Sequence, residues 1–416
     1  MTARYITTEK LAHQKGLTVE NQQFDVLISK QLTQEDWEQW DAFVPSDNLM
    51  LQHAYLDSIS STLKDEKSVR FVQVMSKNNL VGAFPVQLIW AESTNLEGNT
   101  EKKNSLVQNT IRKILVGDGP LRFRLAAIGN SFASGENGYH FGKEISIEQG
   151  CALMNTALEE IVAQEKDSEF PIKALLVKDF LRGKKELGLL KKSGFAEFKV
   201  DPLMVMPIDP SWESREDYFG VLKSKFRTKA KAAYKKSAEL EMKTMTQDEI
   251  RHYESEIHRL YHDVVDKADF NLGHLEAITF ADMKEQLGNR FDFLGYFFEG
   301  KLIGFQSGFK HGDLYDAHMI GVDYSQNQRW SLYSRILYQY VDLAISAGAI
   351  RLSYGRTAGE IKSAVGAFPI ELSCCVRHVN PVPNVLLKNF FRFVKPKNYD
   401  IRYPYKQELE IEPPLI

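Results

Sequence analysis

The sequence predicts an α/β (α+β) chain built from two similar units, and three observations carry that expectation. At 416 residues the chain exceeds what one hydrophobic core ordinarily organises, so two domains are expected. Hydrophobic residues make up 43% and charged residues 26%, the balance of a globular protein and not of a disordered one. The third observation is an internal repeat, because residues 71–86, FVQVMSKNNLVGAFPV, and residues 293–308, FLGYFFEGKLIGFQSG, share one layout. Each reads as a strand, a tight polar turn and a second strand, a hairpin signature with Gly82 and Gly304 in equivalent places.

The segments after each hairpin also match. The first copy continues through an apolar helix, CALMNTALEEIVAQ, a buried strand, IKALLVKDF, and a second helix with a small-residue and Phe ending, KKELGLLKKSGF. The second copy gives SRILYQYVDLAISAG, IRLSYG and GEIKSAVGAF in the same order. The first copy alone carries a polar stretch, AESTNLEGNTEKKNSLVQNT (91–110), expected to be a surface excursion. Between the copies, MPIDPSWESRED (206–217) holds two prolines and several acids and marks a boundary. The expected domains are therefore 1–205 and 206–416, the second ending in a basic and aromatic tail over 384–405.

The opening MTARYITTEKLAHQKG lacks the apolar stretch of a secretory signal, and no apolar run reaches the roughly 18 residues of a membrane span. A cytoplasmic protein is expected. Cys151, Cys374 and Cys375 are spaced for neither a disulfide framework nor a zinc knuckle. A net charge of −3 argues against a general nucleic-acid binder, though a local basic patch is compatible with it.

Residues 218–241, YFGVLKSKFRTKAKAAYKKSAELE, have helical periodicity, with Phe219, Leu222, Phe226, Ala230, Ala233, Ser237 and Leu240 on one stripe. From Lys223 to Lys236 there are seven cations and no acid. Like charges four residues apart repel by a few tenths of a kcal/mol per pair, on the order of 0.3, so an anionic partner is an economical explanation. Phosphate, pyrophosphate or an RNA backbone would serve, against the plainer reading of a basic surface helix.

Residues 354–368, YGRTAGEIKSAVGAF, follow a strand and carry Gly355 and Gly359 beside Arg356, Glu360 and Lys362. Glycines let a backbone approach a ligand, and Arg and Lys donate to an anion; a loop and short helix with ordinary surface charge is the alternative. On the strand LYDAHMIGVD, alternation places Tyr315, Ala317 and Met319 on one face and Asp316, His318 and Ile320 on the other. A carboxylate and an imidazole two residues apart can position and accept a proton, or serve only as structural hydrogen bonders.

Weaker signals point elsewhere. His258 and His262 stand four apart in HRLYH, near Asp263 and Asp266, a spacing that suits a metal on one helical face. Without the glutamate of HExxH or an assignable third ligand, no metal site is expected. HAYLD, HDVVD and HGDLYD are short enough to arise by chance, and GNSFA (129–133) lacks the last glycine of a nucleophile elbow. VLLKNFFRFVKPK (385–397) sets Leu387, Phe390, Phe391 and Val394 opposite Lys388, Arg392 and Lys395. Such a face suits docking on the domain core first, or peripheral contact with the inner face of a membrane.

Taken in order, the duplicated hairpin, the helix SKFRTKAKAAYKKSAE, the strand LYDAHMIGVD, the long helix ending in AG and YGRTAGEIKSAVGAF resemble the FemAB-like branch of the GNAT N-acyltransferase superfamily. The resemblance is good over roughly 215–370 and architectural over 20–200. It implies two GNAT-like units, each a mixed, mostly antiparallel sheet flanked by helices, with substrate in or beside the cleft between them. It implies transfer of an acyl or aminoacyl group to an amine of a lipid, a cell-envelope precursor or a small molecule. The donor would be an acyl thioester such as acyl-CoA, or aminoacyl-tRNA, used as co-substrate with no tightly bound cofactor. One departure bears on CoA: ordinary acetyltransferases carry (R/Q)xxGxG/A before the long helix, and this chain has QNQRWSLY (326–333), with Trp330 and Leu332 in the glycine places.

On this reading Asp316 or His318 is the base or positioning pair, and Tyr354, Arg356 and Lys362 bind substrate or an oxyanion beside Glu360. Lys225, Arg227 and Lys229 would hold a phosphate-bearing substrate. VKDFLRGKKELG (177–188), the first copy's counterpart of YGRTAGEIK, keeps basic residues and changes the glycine pattern, so the first copy is expected to be the partner wall of the cleft. Two other classes remain: a non-catalytic GNAT-like binding module for a cell-envelope precursor, and an RNA-binding protein that uses the helix 223–236.

Overall fold

The computed structural model describes residues 13–60, 62–63, 69–92, 122–266, 273–391 and 396–406. Of the polar excursion expected over 91–110, Ala91 and Glu92 end a strand and the rest lies outside them, as do residues 392–395 of the tail.

The first copy comprises β1 (His13–Val19), β2 (Gln22–Ser29), α1 (Gln34–Phe43), α2 (His53–Ser58), β3 (Val69–Ser76), β4 (Asn79–Glu92), β5 (Arg122–Ile128), β6 (His140–Phe141), α3 (Ile147–Gln164), β7 (Ile172–Leu181), α4 (Lys185–Lys192) and β8 (Ala196–Pro207). The second begins with α5 (Arg215–Val221), α6 (Ser224–Lys236), β9 (Glu241–Thr244), α7 (Gln247–His252), α8 (Glu254–Val265) and α9 (Ile278–Leu287). It continues with β10 (Phe291–Phe298), β11 (Lys301–His311), β12 (Leu314–Val322), α10 (Tyr324–Trp330), α11 (Leu332–Ser346), β13 (Arg351–Ser353), α12 (Gly359–Val365), β14 (Phe368–His378) and α13 (Pro381–Phe391).

Both expected hairpins form, β3–β4 and β10–β11, and their details repeat. The turn residues Lys77 and Asn78, and Glu299 and Gly300, all have positive φ, the backbone of a tight turn whose twist suits antiparallel strands. In each hairpin the register shifts one step before the glycine, where Gly82 faces Val74 and Gly304 faces Tyr296. A Cβ at Gly82 would lie 2.6 Å from the Phe141 ring, and one at Gly304 2.7 Å from Leu332. The glycine is required in both copies because the next part of the chain presses on the bulge.

All the strands belong to one sheet in the order β1-β2-β3-β4-β5-β7-β14-β8-β13-β12-β11-β10-β9, with β6 attached to β4. The neighbours β5 and β7 run parallel, as do β12 and β13, and the other pairs are antiparallel, so the sheet is mixed and mostly antiparallel as expected. Its centre is exchanged. β14, from the end of the second copy, pairs with β7 of the first, while β8 of the first pairs with β13 of the second. The two exchanged strands pair with each other.

One apolar cluster lies under α5, α6 and α11, including Tyr218, Leu222, Tyr340 and Tyr354, and a second fills the first copy around Phe84, Leu158 and Val177. A third belongs to both copies, joining Trp40, Tyr55 and Phe132 to Phe280, Phe291 and Phe309. Burial of this size is the main stabilising term of such a fold.

The single helix expected over 218–241 is broken. Leu222 is extended, with φ −78° and ψ 141°, and bridges to Tyr405. Lys223 N donates to Pro404 O at 2.8 Å and Lys406 N to Val221 O at 2.9 Å, so the returning tail takes the hydrogen bonds that would have continued the helix. The apolar stripe survives the break: Phe219, Leu222, Ala230, Ala233, Ser237 and Leu240 are buried. On α13, Leu387 is buried and Phe391 stacks on Phe198 at 4.3 Å, while Val382, Val385 and Leu386 face outward. Among the described residues, no helix is long and apolar enough to cross a membrane.

Candidate functional site

Asp316 and His318 share one face of β12, as alternation predicts, but the strand bulges at His318 and Met319. Ser307 stands opposite both His318 and Met319, between the pairs Gly308–Ala317 and Gln306–Ile320. Ser307 Oγ accepts from Met319 N at 3.1 Å and lies 3.3 Å from His318 Nδ1. The bulge reverses the alternation, a correction to the sequence reading: Met319 joins the shared cluster and Ile320 packs with Tyr315 and Ala317. A bulge re-aims the side chains around it.

Burial pushes the Asp316 carboxyl up to about 6, against the opposing pull of His311 and a hydrogen bond from Ser353. Burial pulls His318 down to about 3, with the backbone of Phe132 favouring its charged form. His318 is thus a neutral imidazole at pH 7. Different groups shift the two side chains, His311 and Ser353 acting on Asp316 and Phe132 on His318.

A chain of polar contacts runs from Asp316 through the first copy and back. Tyr55 lies near enough for Asp316 to raise its hydroxyl pKa further, and Asn130 Nδ2 donates to Tyr55 Oη at 2.8 Å. Lys178 Nζ donates to the Asn130 carbonyl and to Ala133 O at 3.1 Å, and lies 3.0 Å from Asp179 Oδ2. Asp179 faces Arg356 Nη1 at 3.6 Å. Lys362 Nζ then donates to Arg356 O at 2.6 Å, while Ser353, on the strand leading into Arg356, closes the ring at Asp316.

Two members of this ring carry unusual backbone or charge. Asp179, near the end of β7, has φ +65° and Gly355, just after β13, +68°; they occupy corresponding places in the two copies, and an aspartate held there is strained. Lys178 and Arg356 hold the buried Asp179 carboxyl below its ordinary range despite desolvation. Burial alone pulls Lys362 down to about 7. Tyr55, Asn130, Lys178 and Asp179 were not singled out from the sequence. Their one legible signal was KD standing in VKDFLRGKK where YG stands in YGRTAGEIK.

Other expected site residues lie apart from the ring or inside the core. Tyr354 is buried among aromatic rings, and its hydroxyl donates to Leu337 O at 2.8 Å, which leaves no proton pointing at a substrate. Glu360 is exposed and pairs with Arg402 of the tail. The glycines after Tyr354 serve different ends, and the reading that they admit a ligand is corrected at Gly359. A Cβ at Gly359 would meet Tyr399 at 2.8 Å and one at Gly366 would meet Tyr405 Oη at 2.0 Å, whereas Gly355 has nothing within 4 Å. Tail aromatics fill the approach at Gly359 and Gly366.

On α6, Lys225 and Lys229 are exposed and Arg227 is half-buried. Together with Lys231, Lys235 and Lys236 they make no ion pair among the described residues. The QNQRWSLY stretch forms α10 and the start of α11; Asn327 Oδ1 accepts from Tyr333 N at 2.9 Å, and Trp330 is buried against Phe298 at 4.9 Å. Ser131 of GNSFA donates to Gln87, a carboxamide that cannot act as its base. A groove of about 360 Å³ lies away from the ring, on the outer edge of the sheet, lined by residues including Lys243, Glu249, His252 and Phe297. His262 and Asp266 are joined by His274, the third group the sequence could not assign.

Comparison with protein-family models and with curated protein sequences gives no match. Among solved structures, the chain is similar to FemX, with 12% identity and a TM-score of 0.48 over 82% of this chain and 96% of that one. It is similar to a tandem GNAT protein from the clavulanic acid biosynthesis pathway, with 11% identity and a TM-score of 0.46 over 79% and 94%. A GCN5-related N-acetyltransferase from Anabaena variabilis gives 11% identity and 0.42 over 86% and 74%.

Proposed function

We propose that the protein transfers an acyl or aminoacyl group from an activated ester or thioester to an amine, at the seam between its two copies. The observation that carries this reading is Asp316, a buried carboxylate that titrates near 6 on the seam beside Tyr55 of the first copy. An amine must lose a proton as it attacks, and a base poised near neutrality meets that need. In the reaction a C–N bond forms, the C–O or C–S bond breaks, Asp316 takes the amine proton, and the departing oxygen or sulfur leaves with the electron pair and is then protonated. Arg356, anchored on Asp179, is the cation best placed to hold an anionic group of donor or acceptor.

Lys225, Arg227 and Lys229 on α6 support a phosphate-bearing substrate, since these cations form no ion pair among the described residues. CoA and tRNA both qualify chemically. The Asn327 cap on the Tyr333 amide and the buried Trp330 occupy the place where acetyltransferases use glycine amides for pyrophosphate, so these features favour a donor held elsewhere, with α6 as the natural surface.

The test is incubation with acyl-CoAs of varied chain length and with charged tRNAs, in the presence of an amine pool, followed by mass spectrometry. Product is expected from one donor class, and Asp316→Asn is expected to lower turnover about 100-fold with an unchanged Km for the donor and a melting temperature no lower than that of the parent. Binding without turnover by any donor would sink the enzyme reading in favour of a binding module. Equal, steeply salt-dependent affinity for bare and charged tRNA would move the protein to RNA binding.

A further inference from the structure

We propose that His262, Asp266 and His274 form a binding site for a divalent cation of borderline softness, such as zinc(II), cobalt(II) or nickel(II), which ties the end of α8 to the segment that enters α9. One ligand atom from each residue lies within 4.8 Å of the others. His262 Nδ1 is 3.3 Å from Asp266 Oδ1, and the rings of His262 and His274 lie nearly parallel, 5.6 Å apart at 27°. Metal bonds of about 2.1 Å place tetrahedral ligand atoms roughly 3.4 Å from each other. Closing on an ion therefore asks for a movement of about 1 Å by side chains that are at least partly solvent-accessible.

The donor set chooses the ion. Two imidazoles and one carboxylate suit borderline transition metals and leave coordination positions for water, whereas calcium and magnesium prefer oxygen ligands. Packing does not explain the cluster, because α8 buries its opposite face through Ile257, Leu260 and Tyr261. A further imidazole, His258, stands one helical turn back with its ring 4.4 Å from that of His262.

The segment beyond the site joins the two copies. A Cβ at Gly273 would meet the Phe132 ring at 3.1 Å, Leu275 N donates to Tyr261 Oη at 3.2 Å, and Glu276 N donates to Thr62 Oγ1 at 3.0 Å. Phe132 in turn flanks His318. A cation at His274 would thus fasten the wall beside the candidate site without entering it.

The experiment uses the full chain stripped with a chelator and titrated with zinc(II) by calorimetry and with cobalt(II) by visible absorption. One ion per chain at micromolar affinity or tighter is expected, with cobalt bands typical of nitrogen and oxygen ligands and a raised melting temperature. His274→Ala and, separately, Asp266→Asn should each weaken binding about tenfold or more and abolish the thermal shift while keeping the far-UV circular dichroism of the parent. Affinity no better than millimolar, or equal binding by parent and both variants, would overturn the proposal.

Discussion

Lys362 is the residue whose environment most exceeds structural need. Its ammonium has the Arg356 carbonyl as hydrogen-bond acceptor, and burial pulls its pKa from 10.5 to about 7. Between those values the unfolded chain binds a proton that the folded chain has lost, so stability rises with pH from 7 towards 10.5 and the cost is fully present below 7. The gain is bounded by roughly 5 kcal/mol. Denaturant melts at pH 6.5, 8 and 9.5 should show this climb in the parent and its loss in Lys362→Met. An equal slope in both would return Lys362 to the surface. Asp316 works in the opposite sense, because its raised pKa costs stability as pH rises from about 4 through 6. Asp316→Asn should therefore gain on the parent over that window, and kcat/KM of the parent should fall on the acid side of about 6. Much of this was legible at the level of which residues to watch, since Asp316, Arg356 and Lys362 all belong to the ring. Tyr354 was not, because a hydroxyl at a strand end reads alike whether it meets a substrate or the Leu337 carbonyl. Asp179 escaped because its role depends on a strained backbone that no residue type announces.

Among the elements, α12 shows how a motif can be right in place and different in use. Its glycines look like ligand-facing positions, yet the tail closes on them: Tyr399 onto Gly359 and Tyr405 onto Gly366, with Tyr405 Oη donating to Gly366 O at 3.1 Å. Gly366 also has φ +128°, where a side chain is strained. Gly366→Ala should cost about 2–4 kcal/mol in urea melts and expose residues 396–406 to limited proteolysis. Tyr405→Phe removes one hydrogen bond and should cost about 1 kcal/mol. The same tail explains why the periodic run 218–241 becomes α5 and α6, since helical spacing in the sequence is blind to a partner some 180 residues on. The hairpins were legible because turn and glycine are local, whereas the bulge beside each glycine shows only in the pairing of the strands. The reversal at Met319 and Ile320 was not, because Ser307 decides it from the neighbouring strand.

At the scale of the molecule, the repeat was readable and the exchange at its centre was not. Two successive strands of like composition carry no mark of which neighbour they will choose, and β8 and β14 each choose the other copy as well as one another. We propose that a cut near residue 205 divides the sequence and not the folding unit. Chains ending or beginning at Pro210, expressed alone, should lack a cooperative melt, and co-expression should restore one. A cooperative melt from either fragment by itself would show that the halves are independent.

The crossed strands also set a timetable. β7 and β8 leave the ribosome while the strand that belongs between them is still some 160 residues from being made. During that interval each offers an unpaired edge, and the nearest partner for β7 is β8 itself. A first copy closed on its own last strand would be a complete sheet with no place for β14, so the nascent chain must either hold that edge open or undo the early pairing before the two halves can lock.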